Sequence, residues 1–442
     1  MSKKALVLGA GLVARPLVRH LLSSGVHVTL TDLDLSRARS LVEGSPNGRV
    51  VAADLGSQQE LDGLVEDSDL VVSLLPYTLH AQVARRCVAV GRPLVTTSYV
   101  SNEMRELSAP AREKGVLLLN ELGLDPGIDH MSAMRVIDRF RDEGDFVTRF
   151  RSCCGGLPAP DANDNPWGYK FSWSPRGVLL AGRNSARFLD RGAVRDVDAR
   201  DLFATVWDAR VDRVGPLEMY PNRDSLQYIG IYSLDRVESM MRGTFRYPGW
   251  CRMMKALVDM GWLSLDKPPA GAGTLGQVTA ALTRAPKGLA SEADLAAHVA
   301  SRLGMDPGDD ALARIRWAGL FGAQALDPHA ETVLDVLAAP LKERLSYKPG
   351  ERDMVVLVHE FEAASASGAR RKATSTLLDF GVPDGDSAMA RTVSLPAAIA
   401  AVLVLEGRID LAGVQIPVDR RIYEPVLARL ESVGIHCRET WE

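Results

Sequence analysis

The stretch NELGLDPGIDHM, residues 120–131, sets one carboxylate, Asp125, on a turn built from Gly123, Pro126 and Gly127. An acid fixed on such a turn can pair with a cation or move a proton, whereas turn chemistry alone also favours Asp, Pro and Gly at these positions. The same choice attaches to Ser98 and Tyr99 in TTSYVS. Near the start, VLGAGLVARP spaces Gly9-x-Gly11-x-x-Ala14 directly after an apolar run. That spacing lets backbone N–H groups approach a pyrophosphate at a helix N-terminus, with the small third residue allowing helix and strand to pack closely. Asp32 closes the second apolar run. A carboxylate there accepts both ribose hydroxyls of NAD and repels the 2′-phosphate of NADP; otherwise it caps the helix LSRARSLV that follows. These residues point to a nicotinamide dinucleotide, with NAD favoured and NADP the alternative.

Farther along, Arg223 in MYPNRDS and Arg246 in GTFRYPG stand in turn-like, aromatic surroundings. A planar guanidinium there can grip a carboxylate bidentately, and the competing account is a surface arginine paired with a neighbour such as Asp224. Of the vicinal pair Cys153 and Cys154, one is expected in the core and the other facing the site. The five cysteines, an odd number, show no CxxC spacing, and the eight histidines form no pair at ligand spacing. A reducing cytoplasm without structural metal follows.

Positioning these groups falls to a pattern of alternating strands and helices. KALVLGA, HVTLTD, GRVVAAD, DLVVSLLP, PLVTTSY and GVLLLNE are short apolar runs separated by helical stretches. They predict an α/β fold with a doubly wound parallel sheet, buried on both faces because the runs are continuous rather than alternating. Polar residues gather after each run, where such a sheet lines its ligand crevice. The first run, though preceded by two lysines, is too short and glycine-broken for a signal peptide, and no run is expected to reach the roughly 20 residues of a membrane span. With 442 residues, two or three domains are expected; 52 basic against 56 acidic residues give no field to draw nucleic acid or an anionic membrane, leaving a small-molecule partner. Beyond residue 131 a Gly/Pro/Asn/Trp-rich stretch, CCGGLPAPDANDNPWGYKFSWSP, reads as a long ordered loop. SEADLAAHVASRLG reads as a capped helix, ERDMVVLVHEFEA with ARRKATSTLLDFG as a hairpin, and SAMARTVSLPAAIAAVLVLEG as an apolar helix that needs a sheet to cover it.

GLDPGIDH, CGGLPAP, DNPWGYKFSWSPRGVLLA, TTSYVS, YPNRDS, ERDMVVLVHEFE and SAMA together closely resemble the glutamate-forming saccharopine dehydrogenases, also called saccharopine reductases, over essentially the whole chain. The resemblance implies an enzyme that joins α-aminoadipate semialdehyde to L-glutamate through an imine reduced by a nicotinamide cofactor, or runs the reverse. It implies a Rossmann domain over 1–130 completed by 388–442, an α/β substrate and dimerisation domain over 131–262 and 346–387, and a small helical domain over 263–345. A cytoplasmic homodimer is the expected assembly. By the same resemblance, Gly9, Gly11, Leu12 and Val13 hold the pyrophosphate, Asp54 and Leu55 lie near the adenine, and Leu75, Ser98, Leu124, Asp125 and Pro126 border the cofactor. Ser98, Tyr99, Asp125, Arg223, Thr244, Phe245 and Arg246 hold saccharopine, and Asp125, Tyr99 and Cys154 are the candidates for handling its proton. One departure concerns the cofactor: fungal members carry a cysteine and an arginine where this chain has Asp32 and Leu33, which favours NAD. Two other readings stand beside this one. One is a relative acting on another amino-acid or polyamine imine, and the other is a non-catalytic NAD-binding regulatory protein.

Overall fold

The computed structural model describes residues 3–54, 56–289 and 291–442. The expected adenine neighbour Leu55 therefore lies outside the described residues. The six apolar runs form β1 (Lys4–Leu8), β2 (His27–Thr31), β3 (Gly48–Val50), β4 (Leu70–Ser73), β5 (Leu94–Thr96) and β6 (Leu117–Leu119). A further strand near the C-terminus, β15 (Gly413–Gln415), adds in parallel beside β6, and the order is β15-β6-β5-β4-β1-β2-β3. Strand β1 lies between β2 and β4, so the winding reverses there, and an open α/β sheet takes its ligand outside the carboxyl ends at such a reversal. Leu6, Val7 and Leu8 are wholly buried, as continuous apolar runs on a doubly covered sheet require.

The apolar helix Ala388–Leu405 supplies part of that cover, packing on the helix Ala14–Ser23 and on β4 and β5. It corrects the expectation that no apolar run nears membrane-spanning length: it has 18 residues of suitable hydropathy. Its surroundings are nevertheless the sheet and its flanking helices, which bury 78% of it.

The chain divides into two compact units, Met1–Val147 with Ala363–Glu442, and Thr148–Glu362. The second unit holds strands from β7 (Asp145–Pro158), β8 (Ala186–Asp190), β9 (Ala193–Val197), β10 (Trp207–Val211), β11 (Gly215–Pro221), β12 (Ser239–Arg246) and β13 (Asp353–Ser365). Their order is β10-β11-β12-β7-β13, with β8 paired to β12 and β9 to β8. The helical block expected at 263–345 falls within this unit rather than separating as a third. Residues 363–387, expected in the substrate domain, group instead with the first unit, because β14 (Arg370–Phe380) pairs antiparallel with β16 (Cys437–Trp441). The turn between β13 and β14 is closed by Ser365 N–H donating to the Ala369 carbonyl at 2.9 Å.

The loop after β7 is ordered from within. Trp167, Tyr169 and Lys170 are at most 1% exposed. The Lys170 ammonium lies 2.7 Å from Asp164 and 2.6 Å from Glu351, so a buried cation ties the loop to the approach of β13. Ser291 caps the helix Glu292–Leu303 by accepting the Asp294 N–H at 3.1 Å, as the serine and acid three residues apart predict.

Candidate active site

In the first unit the glycine turn is shaped by two different needs. Gly9 has φ +103°, and a Cβ there would lie 3.1 Å from the Leu74 carbonyl oxygen, so only glycine fits. A Cβ on Gly11 would meet no protein atom within 4 Å; the space beside it is open to a ligand. Val13 precedes the helix Ala14–Ser23, whose N-terminus has no side-chain cap. Uncapped N–H groups beside an open glycine fit a pyrophosphate. Leu12, 66% exposed, projects from the same turn.

Asp32 reaches back across this turn. Its Oδ2 accepts the Ala10 N–H at 2.5 Å and its Oδ1 the Asp34 N–H at 2.8 Å. The cap of the next helix is Asp34, which accepts from Ser36 and Arg37 N–H groups, so the capping account of Asp32 does not hold. A carboxylate has about four acceptor sites, which leaves Asp32 capacity for ribose hydroxyls. Leu33 beside it is fully exposed. Asp54 is exposed and builds its own turn, accepting the Gly56 N–H at 2.8 Å. Leu75 is half-buried against the core under β4.

Asp125 and Tyr99 come together: the Tyr99 hydroxyl donates to Asp125 Oδ1 at 3.0 Å, and both are half-buried. The turn carrying Asp125 is locked by its own backbone. Gly123 N–H donates to the Pro126 carbonyl at 2.9 Å and Ile128 N–H to the Gly123 carbonyl at 2.8 Å. A Cβ on Gly127 would sit 2.0 Å from the Gly123 oxygen, so the glycine is obligatory. Leu124 and Pro126 form the buried inner side of this turn, and their carbonyls are taken by Asp129 and Gly123 N–H groups.

Three polar residues that sequence reasoning missed hold the Ser98–Tyr99 segment. Glu121, buried and at φ +62°, donates its N–H to the Ser98 carbonyl at 3.1 Å and accepts the Val100 N–H on Oε1 at 3.0 Å. Its Oε2 lies 2.8 Å from His130 Nε2. His80, at the start of the helix His80–Val90, reaches Ser98 Oγ with Nε2 at 2.9 Å. No local pattern marks these residues, since each matters only through a partner on another strand end.

In the second unit Thr244, Phe245 and Arg246 end β12. Thr244 stands opposite Cys154 on β7 in parallel register, and a Cβ on Gly155 would lie 3.0 Å from Phe245, which accounts for the glycine after the cysteine. Cys153 is buried and Cys154 half-buried, the division expected of the pair. Arg246 is 7% exposed. Its guanidinium carbon lies 5.1 Å from the Tyr169 ring and 5.2 Å from the Trp250 ring; Nη1 donates to the Phe245 carbonyl at 2.7 Å and Nε has no partner. The acid opposite it on β11, Glu218, is committed elsewhere, accepting N–H groups of Gly249 at 3.1 Å and Cys251 at 2.5 Å. Arg223 is exposed at φ +52°, and Asp224, the neighbour named in the competing account, accepts the Leu226 N–H at 2.8 Å.

A glycine turn at the reversal point of a parallel sheet, with an acid at the end of the second strand, defines a nicotinamide-dependent dehydrogenase of the Rossmann type. The family model "Saccharopine dehydrogenase NADP binding domain" matches residues 5–119, and "Saccharopine dehydrogenase C-terminal domain" matches 123–435. The chain belongs to the saccharopine dehydrogenase family. It is 38% identical to saccharopine dehydrogenase (NADP+, L-glutamate-forming) of Pyricularia oryzae over 99% of both chains. It is 37% identical to the mitochondrial alpha-aminoadipic semialdehyde synthase of Bos taurus, over 98% of this chain and 47% of that one. The structure is similar to that of apo saccharopine dehydrogenase (L-Glu forming) from Saccharomyces cerevisiae, with a TM-score of 0.92, 37% identity and full coverage of both chains.

Proposed function

We propose that this chain interconverts saccharopine with L-glutamate and α-aminoadipate semialdehyde, within lysine metabolism. The observation that carries this reading is the buried guanidinium of Arg246, which has no protein carboxylate at hydrogen-bond distance among the described residues. Burying an unpaired charge is costly unless a ligand completes the pair, and saccharopine carries three carboxylates. Full-length likeness to enzymes named for this reaction supports it over a different imine substrate or a non-catalytic role.

When bound, the nicotinamide supplies or accepts the hydride. The chain's own residues manage carboxylates and one proton. Arg246 and Arg223 bind substrate carboxylates, with Thr244 and Phe245 beside Arg246 at the end of β12. Saccharopine's secondary ammonium must lose a proton before its carbon gives up hydride, and the resulting iminium is a cation. Asp125 pairs with the ammonium and accepts its proton, and after passing that proton on to water its restored carboxylate pairs with the iminium, while Tyr99 holds the carboxylate in place through its hydroxyl. Ser98 meets cofactor and substrate.

The cofactor is the finer part of the proposal. Asp32 and the fully exposed Leu33, with no basic residue between 32 and 36, support NAD. The relatives named for NADP+ support the other choice, as does Arg37 in the first turn of the next helix, since an arginine near the end of the second strand can accommodate a 2′-phosphate. Initial rates of saccharopine oxidation with NAD and NADP side by side decide both questions. Turnover with NAD preferred supports the whole reading, turnover with NADP preferred removes the role given to Asp32, and no turnover with either in a folded, cofactor-binding protein removes saccharopine.

A further inference from the structure

We infer that His80 is a positioning residue for this reaction, fixing the rotor of the Ser98 hydroxyl from behind the site; the inference rests on the reading above that Ser98 meets the ligands. The imidazole is 4% exposed and enclosed by three hydroxyls. Nδ1 lies 3.0 Å from Ser73 Oγ, while Nε2 lies 3.0 Å from Thr96 Oγ1 and 2.9 Å from Ser98 Oγ. Ser73 ends β4 and Thr96 ends β5, so one side chain joins the carboxyl ends of two neighbouring strands to the residue just beyond them.

Two features separate this role from ordinary core filling. First, burial keeps the ring neutral, with its pKa pushed down to about 4. A neutral imidazole has one donor and one acceptor nitrogen, so the tautomer decides whether the Ser98 hydroxyl donates its proton to Nε2 or keeps it for a ligand. Second, the Ser98 backbone is already pinned, its carbonyl accepting the Glu121 N–H at 3.1 Å and its N–H lying 3.4 Å from Thr96 Oγ1. The hydroxyl rotor is the remaining freedom, and His80 removes it. With both ring nitrogens facing protein hydroxyls, His80 acts through Ser98 rather than on the reacting atoms.

The test is a double-mutant cycle on the full-length enzyme with saturating cofactor, following saccharopine oxidation and melting temperature. His80→Phe keeps ring volume and removes both nitrogens; His80→Gln keeps a polar group near Nε2, and His80→Asn one near Nδ1. We expect kcat/KM to fall about tenfold to a hundredfold in His80→Phe, as small misplacements of ligand-contacting groups do. Ser98→Ala should fall similarly, and the double variant no further than either single one. His80→Gln should recover most of the loss and His80→Asn little. Losses that multiply in the double variant, or Gln and Asn variants equally impaired, would overturn the inference while leaving Ser98 in its role. Wild-type rates in Ser98→Ala would remove that role and the inference together. Should His80→Phe fail to fold, the contrast between the Gln and Asn variants still separates the two outcomes.

Discussion

Two polar clusters, one in each unit, are built in opposite ways. In the first unit the groups around Ser98, Tyr99 and Asp125 are held by protein partners: His80 meets three hydroxyls, Glu121 holds two backbone groups and His130, and Tyr99 donates to Asp125. In the second, Arg246 is buried among aromatic rings with its Nε unpartnered, although an acid stands opposite it in the ladder. A satisfied network rigidifies and fixes geometry, whereas an unsatisfied buried cation lowers stability until an anion arrives. On the proposed reading, the first cluster is a preorganised frame for chemistry, and the second is where a substrate carboxylate would meet what the fold leaves unmet.

Substitutions can break that contrast. The largest effect is expected at the chemistry itself: Asp125→Asn should lower kcat for saccharopine oxidation by about a hundredfold to ten-thousandfold. Wild-type turnover in stopped assays would remove Asp125 from proton handling. Next, Arg246→Met should reduce kcat/KM by about a hundredfold, and Arg246→Lys should not restore it, because an ammonium lacks the planar fork. The same Met variant should melt at or above the wild-type temperature, since a buried unpaired charge is replaced by apolar volume. A clear drop in melting temperature would mean that the guanidinium is satisfied by protein after all.

Glu121→Gln should act with the opposite sign, destabilising the protein by about 1–3 kcal/mol in urea unfolding, because it disturbs a buried acceptor shared by Val100 N–H and His130. An unchanged midpoint would place the Tyr99 segment under other control. His80 adds a pH signature of similar size. Its folded pKa of about 4 lies below the ordinary 6.5, so the unfolded chain takes up the proton first as pH falls. Stability should be unaffected above pH 6.5, decline between 6.5 and about 4 by about 3 kcal/mol at most, and level off below, a dependence that His80→Gln removes. The smallest effect belongs to Asp164, whose carboxyl is held down to about 2 by hydrogen bonds from Lys170 and Lys348. Its contribution is present above the ordinary carboxylate range and fades as pH falls toward 2. Being largely exposed, Asp164→Asn should shift stability at pH 7 by less than about 1 kcal/mol.

Much of the frame was legible in the sequence. The six apolar runs and the glycine turn are local patterns, and all six strands formed where the runs lie. The glycines at 9 and 127 are explained by conditions a few residues wide, a positive φ and a close backbone approach. The pattern of strands likewise brought out Asp32, Ser98, Tyr99 and Asp125, because each stands beyond the end of a strand whose direction the sequence predicts, whereas Arg246 stood out only for its turn-like, aromatic surroundings. The capping alternative for Asp32 failed by two positions, since Asp34 lies where the first free N–H groups of the helix can reach it.

The sequence by itself determined which segments become strands, where they turn and which residue types gather at their ends, because periodicity and turn chemistry act between near neighbours. Tertiary structure alone decided who meets whom. His80 joins Ser73, Thr96 and Ser98 only because β4 and β5 are adjacent; Glu121 reaches Val100 only because β5 and β6 are. Most decisively, Glu218 bonds the N-terminus of the helix Trp250–Met260 and not the arginine opposite it in the ladder. Which of two partners a buried carboxylate takes is set by packing across the fold rather than by the local sequence, and here that choice leaves Arg246 Nε without a protein partner among the described residues.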